Sequence, residues 1–126
     1  MSNIPADLLY TTDDEWVKVD GETAIIGLSD HAQDSLSDIV FLELPDVGDE
    51  FEAEESFGTV ESVKAAADLL MPVDGEVTAV NEDLIDEPEK LNSDPYGSWL
   101  IKINIADASQ LDNLMNAEVY TAQLDD

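Results

Sequence analysis

The sequence predicts a mainly β domain, a sandwich or flattened barrel with short helices and a helical C-terminus. Three observations carry this. Short runs of alternating or β-branched apolar residues recur along the chain, Gly and Pro punctuate them at close intervals, and helical spacing is confined to a few short stretches. The 126 residues suffice for one domain with its own core, so residues 1–126 are read as a single unit.

The first strand is expected over 10–20, with Trp16, Val17 and Val19 leading to a turn at Asp20-Gly21. Asp-Gly between two alternating runs signals a hairpin of type I′, which needs positive φ. The return strand is 23–28. A short helix follows, with Asp30 as cap and Gln33 completing a variant capping box, and Ala32 and Leu36 on its buried side. His31 has neither a histidine nor a cysteine beside it and reads as a helix-start residue, not a metal ligand. A strand over 39–44 ends at Pro45, and Val47-Gly48-Asp49 turns toward Phe51.

From Phe57 to Val63 the apolar and β-branched residues keep a period of two, and 76–80 alternates again after Pro72 and Gly75. Lys64 therefore falls at a bend between strands, a position suited to carrying function on a rigid scaffold. By itself it would pass for a solvated surface charge, because lysine is mostly exposed. The acidic stretch 81–92, broken by Pro88, fits loops with short helical turns. Asp94 to Ser98 forms a turn, and 99–105 a further strand. Asp107 is placed to cap a last helical region with Gln110 three residues on. Leu111, Leu114 and Met115 make an apolar stripe that reads as core packing, and Val119, Tyr120 and Leu124 offer a last helical turn or two.

Composition removes several functional classes. Lys18, Lys64, Lys90 and Lys102 are the only permanent cations against 31 acids, and there is no arginine. No basic face can be assembled, which excludes nucleic acid as a partner. No run of eighteen apolar residues exists, so no membrane span is expected. The start of the chain has no basic region or apolar core, so no secretory or transit signal is expected and the location is taken as cytoplasmic. Without cysteine, any dithiol chemistry must come from a cofactor. The acids are spread along the chain, giving a net charge of −27. Their mutual repulsion weakens the compact state at low salt and is screened at molar salt, where the Debye length falls to about 3 Å. A halophilic source is expected. With so many acids no carboxylate pair stands out, and no catalytic dyad is assigned.

The segment Glu61-Ser62-Val63-Lys64-Ala65, followed by Pro72-Val73-Asp74-Gly75-Glu76-Val77, closely resembles the lipoyl-lysine hairpin of the glycine cleavage system H-protein family. The resemblance extends over 10–18 with Glu15-Trp16-Val17, 24–33, 39–49, 57–81 and 92–103. It implies a barrel-sandwich hybrid of the lipoyl-domain type, with lipoate amide-linked to Lys64 and no catalytic turnover by the chain itself. It further implies a shuttle for the aminomethyl group of glycine. The group comes from a pyridoxal-phosphate glycine decarboxylase and passes to a tetrahydrofolate-dependent aminomethyltransferase, and a dihydrolipoamide dehydrogenase then reoxidises the arm. A lipoylating enzyme is a fourth partner, with Glu61 a candidate for its recognition. Glu15 and Asp68 are the candidates for a cleft where the loaded arm rests.

This chain departs from the family pattern at three places: Asp14 where histidine is usual, Ala67 where serine is usual, and one residue fewer between the Pro-Tyr segment and Trp99. Three alternatives stand beside this reading. A relay that passes lipoyl groups to other carriers would use Lys64 identically. A biotin carrier module usually flanks its lysine with methionines, where this chain has Val63 and Ala65. Lipoyl domains of 2-oxoacid dehydrogenases generally place Asp before the lysine, where Val63 stands here.

Overall fold

The computed structural model describes residues 4–124, so Met1 to Asn3, the start of the stretch read for targeting signals, lie outside the described residues, as do Asp125 and Asp126. Nine strands form two antiparallel sheets among the described residues. Six strands make the larger sheet: β1 (Leu9–Tyr10), β2 (Glu15–Asp20), β3 (Thr23–Leu28), β9 (Ile101–Ile105), β8 (Gly75–Val80) and β5 (Glu50–Phe51), in that spatial order. The smaller sheet has the order β4 (Ile39–Glu43), β6 (Ser56–Ser62), β7 (Ala66–Leu70). Their inner faces enclose the main core, with Val17, Ile26, Leu42, Val60, Leu69, Val77 and Ile103 all buried. The expected mainly β architecture with short helices is therefore what the chain adopts.

Several local expectations are corrected. The strand expected over 10–20 is interrupted: β1 ends at Tyr10 and β2 begins at Glu15. In the intervening turn Asp14 has φ 66°, and the Thr11 hydroxyl accepts the N–H groups of both Asp13 and Glu15 at 3.2 Å. A side chain that takes up two backbone donors competes with the sheet ladder and breaks the strand. In the next hairpin Asp20 pairs with Thr23, so Gly21 and Glu22 are the loop residues. Only Gly21 has positive φ, at 65°, the sign pattern of a II′ turn and not the expected I′.

Helix α1 (Asp30–Leu36) is capped by Ser29, whose Oγ accepts from the Ala32 N–H at 3.2 Å. Asp30 is the first helical residue instead, and its carboxylate accepts from the Gln33 side chain at 2.7 Å. Asp107 does cap its segment, accepting from the Ser109 N–H, but residues Ala108–Asn113 form a 3-10 helix. Helices α2 (Glu82–Asp86) and α3 (Lys90–Ser93) occupy the acidic stretch on either side of Pro88, as expected. The strand expected over 99–105 starts two residues later, at Ile101.

A second apolar cluster, Leu8, Tyr10, Trp16 and Tyr120, anchors the C-terminal helix α4 (Ala117–Leu124) to β1 and β2. Tyr10 and Tyr120 stack with centroids 4.5 Å apart. Trp16 lies across from Gly27 in the β2–β3 register, and a Cβ at Gly27 would fall inside the indole. The ring is fixed at its other end by donation from Nε1 to the Pro95 carbonyl at 3.1 Å. This holds the start of β2, and with it Glu15, against the smaller sheet.

Candidate functional site

Lys64 lies at the tip of the β6–β7 hairpin, beyond the last register pair Glu61–Ala66, and is exposed. The four-residue loop Ser62 to Ala65 is built around one hydroxyl. Ser62 Oγ accepts the N–H groups of Lys64 at 3.2 Å and Ala65 at 3.0 Å, and Ser62 N–H donates to the Ala65 carbonyl at 2.7 Å. A serine that caps its own turn in this way is a recognised loop device, and one not expected of Ser62 from the sequence. The Val63 N–H donates to the Asp38 carbonyl at 3.0 Å, tying the tip to the segment between α1 and β4. The Lys64 ammonium donates to the Ser35 carbonyl at 3.0 Å, near the C-terminal end of α1. No sequence pattern announces a backbone acceptor 29 residues away.

Beside the hairpin, between β7, α1 and the Thr11–Asp14 turn, is a cleft of about 150 Å³. Glu15 and Asp68 both line it, as does Ser35, the residue whose carbonyl takes the lysine amine. Apolar side chains of Leu28, Leu36 and Val60 contribute to the same lining. The structure thus brings Glu15, Asp68 and the Lys64 tip together, and places Glu61 apart from the cleft, exposed on β6 opposite Phe41.

The two cleft acids differ in kind. β7 is an edge strand, and the Ser62–Ala65 bond sets the alternation of its ladder, so the backbone of Asp68 and Leu70 faces the free edge. Glu15 closes part of that edge: the Leu70 N–H donates to its Oε2 at 2.8 Å. Its carboxyl is 1% exposed, and Oε1 is the one buried side-chain oxygen among the described residues without a hydrogen-bond partner. Burial holds the Glu15 carboxyl well above its ordinary range. The Leu70 N–H opposes this, and the charges of Asp13 and Asp14 add to it. Asp68 pairs with Thr59, on the face opposite to Val60 and Ala67, and is exposed at the outer lip.

Asp14 also lines the cleft. Its Oδ1 accepts from the Tyr120 hydroxyl at 2.8 Å. That spends the one phenolic proton, so the 2.8 Å contact between Ser29 Oγ and Tyr120 is a donation from the serine. Burial pushes the Tyr120 phenol up, the Ser29 bond partly offsets this, and Asp14 adds to it. The wall of the cleft is thereby tied to the start of α1 and to the C-terminal helix. Ala67 is exposed on β7 and also lines the cleft.

The remaining lysines are elsewhere. Lys90 pairs with Glu87 at 2.7 Å, Lys102 lies 4.8 Å from the Trp99 ring centre, and Lys18 is on β2. Among the described residues, no group of three or more His, Cys, Asp or Glu side chains is arranged to hold a metal ion, and no helix is long and apolar enough to cross a membrane.

Comparison with known proteins agrees with this geometry. The profile of the glycine cleavage H-protein family matches residues 8–126. A glycine cleavage system H protein from Carboxydothermus hydrogenoformans is 54% identical over 127 residues, covering 100% of this chain and 98% of that protein. One from Halothermothrix orenii is 50% identical over 125 residues, covering 98% of each. The crystal structure of a glycine cleavage system H protein from Mycobacterium marinum superposes with a TM-score of 0.88 at 35% identity, covering 95% of this chain and 98% of that one. With the two sheets, the lysine-tipped hairpin and similarity over nearly the full length in agreement, the chain belongs to the glycine cleavage H-protein family.

Proposed function

We propose that this chain is the lipoyl-carrying shuttle of a cytoplasmic glycine cleavage system, with lipoate amide-linked to Lys64. The observation that carries the reading is the placement of Lys64, exposed at a hairpin tip with its amine bonded to Ser35, a residue of the cleft that Glu15 also lines. These residues suit the group: the amine is open to acylation, and the adjoining cleft offers apolar walls with a buried carboxyl among them. When bound, lipoate supplies a disulfide that takes up the aminomethyl unit of glycine and gives it up again.

The chain's own residues then have distinct tasks. Lys64 anchors the arm by its Nζ. Ser62 holds the loop so that this root does not wander, and Glu61 serves recognition by the lipoylating enzyme. Tethering sets a high local concentration of the arm, roughly mM or more, at whichever partner is docked. The partners are a glycine decarboxylase, an aminomethyltransferase and a dihydrolipoamide dehydrogenase. Glu15 and Asp68 receive the arm when it ends in a cationic amine, Glu15 from within the cleft and Asp68 from its lip. A cation beside the unpartnered Oε1 of Glu15 favours ionisation of that carboxyl, the reverse of what burial does to it alone.

Reconstitution with the three partner enzymes tests the reading. Lys64→Arg should abolish glycine cleavage while the fold, followed by circular dichroism, is retained. Activity that survives in Lys64→Arg would contradict it.

A further inference from the structure

The smaller sheet leaves large apolar side chains in solvent at the end that carries Lys64. Phe41 is 45% exposed, Val40 55% and Val63 69%. Phe41 lies directly across from Glu61 in the β4–β6 register, and Val63 is two residues beyond Glu61, so the two flank that glutamate. Val40 sits where the register shifts between Ile39 and Phe41, and β4, like β7, is an edge strand of its sheet. Open edges are usually guarded by charge. Here the exposed acids Asp38, Glu43 and Glu61 surround the apolar positions without replacing them. The bond from the Val63 N–H to the Asp38 carbonyl fixes the backbone of the tip, so the exposure of Val63 is built in.

We propose that Phe41, Val63 and Val40, together with Glu61, form the docking face for the enzyme that acylates Lys64. The proposal rests on the reading of Lys64 as an acylated residue. Its geometry selects among partners. An enzyme forming the amide must bring its reacting carbonyl carbon to bonding distance of Nζ, so its body has to cover the hairpin tip. Enzymes acting on the far end of a finished arm work at the distance the arm sets and need no such contact.

In the acylation step the amine leaves Ser35, gives up a proton to a base on the enzyme and attacks the carbonyl carbon of an activated acyl donor. The C–N bond forms as the leaving group departs with its electron pair, and nothing is oxidised or reduced. The matching surface on the enzyme is an apolar hollow for Phe41 and Val63 with a basic rim opposite Asp38, Glu43 and Glu61. Such an arrangement has an apolar centre for affinity and a charged rim for orientation.

The test measures acylation kinetics of the unmodified protein with a purified lipoate-attaching enzyme and an acyl adenylate, read as intact mass. Phe41→Ser and Val63→Ser should each lower kcat/KM on the order of tenfold through KM, the size expected for loss of an interface anchor. Val47→Ser and Val119→Ser, exposed apolar positions elsewhere, should match the parent. Val63→Ser changes only a solvent-exposed loop side chain and decides the matter if Phe41→Ser does not fold. Unchanged kcat/KM in Val63→Ser, or a loss confined to kcat, overturns the docking face. So does a concentration-dependent dimer that Val63→Ser dissociates without slowing acylation, since the face would then be an interface between copies. Failure of the parent protein to be acylated on Lys64 would instead remove the underlying reading.

Discussion

The Lys64 ammonium rests on the Ser35 carbonyl at 3.0 Å, and Ser35 is part of the lining of the cleft that contains the buried carboxyl of Glu15. The point where an arm would be rooted and the place where its end would be received are thus neighbours on one small surface. An arm fixed at Lys64 has to fold back to enter the cleft, which makes a parked and an extended state two positions of one tether.

Parking predicts a lifetime difference for the loaded arm. A cationic amine between Glu15 and Asp68 should be sheltered from water, and loss of the buried partner should matter more than loss of the exposed one. In Glu15→Gln, spontaneous loss of the loaded group at matched high salt should be about tenfold faster, corresponding to ~1.4 kcal/mol. Asp68→Asn should change it by at most a few-fold, as for other exposed pairs. Equal lifetimes in the parent and both variants would remove the cleft from the mechanism.

The raised pKa of Glu15 has a defined sign in stability. Below the ordinary carboxyl value of 4.5 the group is protonated in both folded and unfolded chains and contributes no pH dependence. As pH rises from there through the higher folded-state value, the folded chain holds more protons than the unfolded one, so stability falls. Above the folded value the loss is complete. Thermal melts at fixed salt should show that Glu15→Gln falls less steeply than the parent across this window. Parallel profiles would mean that Glu15 titrates normally.

Tyr120→Phe should destabilise the protein by about 1 kcal/mol, since it removes the hydroxyl joining Ser29 to Asp14 while keeping a ring to stack on Tyr10. Urea unfolding measures this directly. An unchanged midpoint would show that solvent replaces the network without cost.

Much of the fold could be read from the sequence because its strands carry their own signal. β8 alternates buried and exposed residues from Gly75, where the turn residues end, whereas β6 departs from a period of two and buries both Phe57 and Val60 across the irregularity between Ser56 and Gly58. The misreadings share a cause. Thr11 and Ser29 take backbone donors with their hydroxyls, and these local bonds decide where β1 stops and where α1 starts. Several residues offered such bonds in the sequence, and only the surrounding packing selects among them. The site divides in the same way. The position of Lys64 at a bend between strands was legible from its local pattern, whereas the burial of Glu15 depends on Leu70, 55 residues later, and on the Trp16 ring held by Pro95. Asp68 looked equivalent to Glu15 in sequence, but the β6–β7 register puts it on the outer lip.

The dispersed acids predict a salt response. With 31 acids against four lysines, the melting temperature should rise steeply from low salt to molar KCl as repulsion is screened. A flat response would remove the expectation of a halophilic source.

The central claim concerns one amine. Intact-mass and peptide-mapping mass spectrometry of the protein from its native cells should find a single lipoyl group, located on Lys64 and absent from Lys64→Arg. A lipoyl group on Lys18, Lys90 or Lys102, or a biotinyl group on Lys64, would contradict the account.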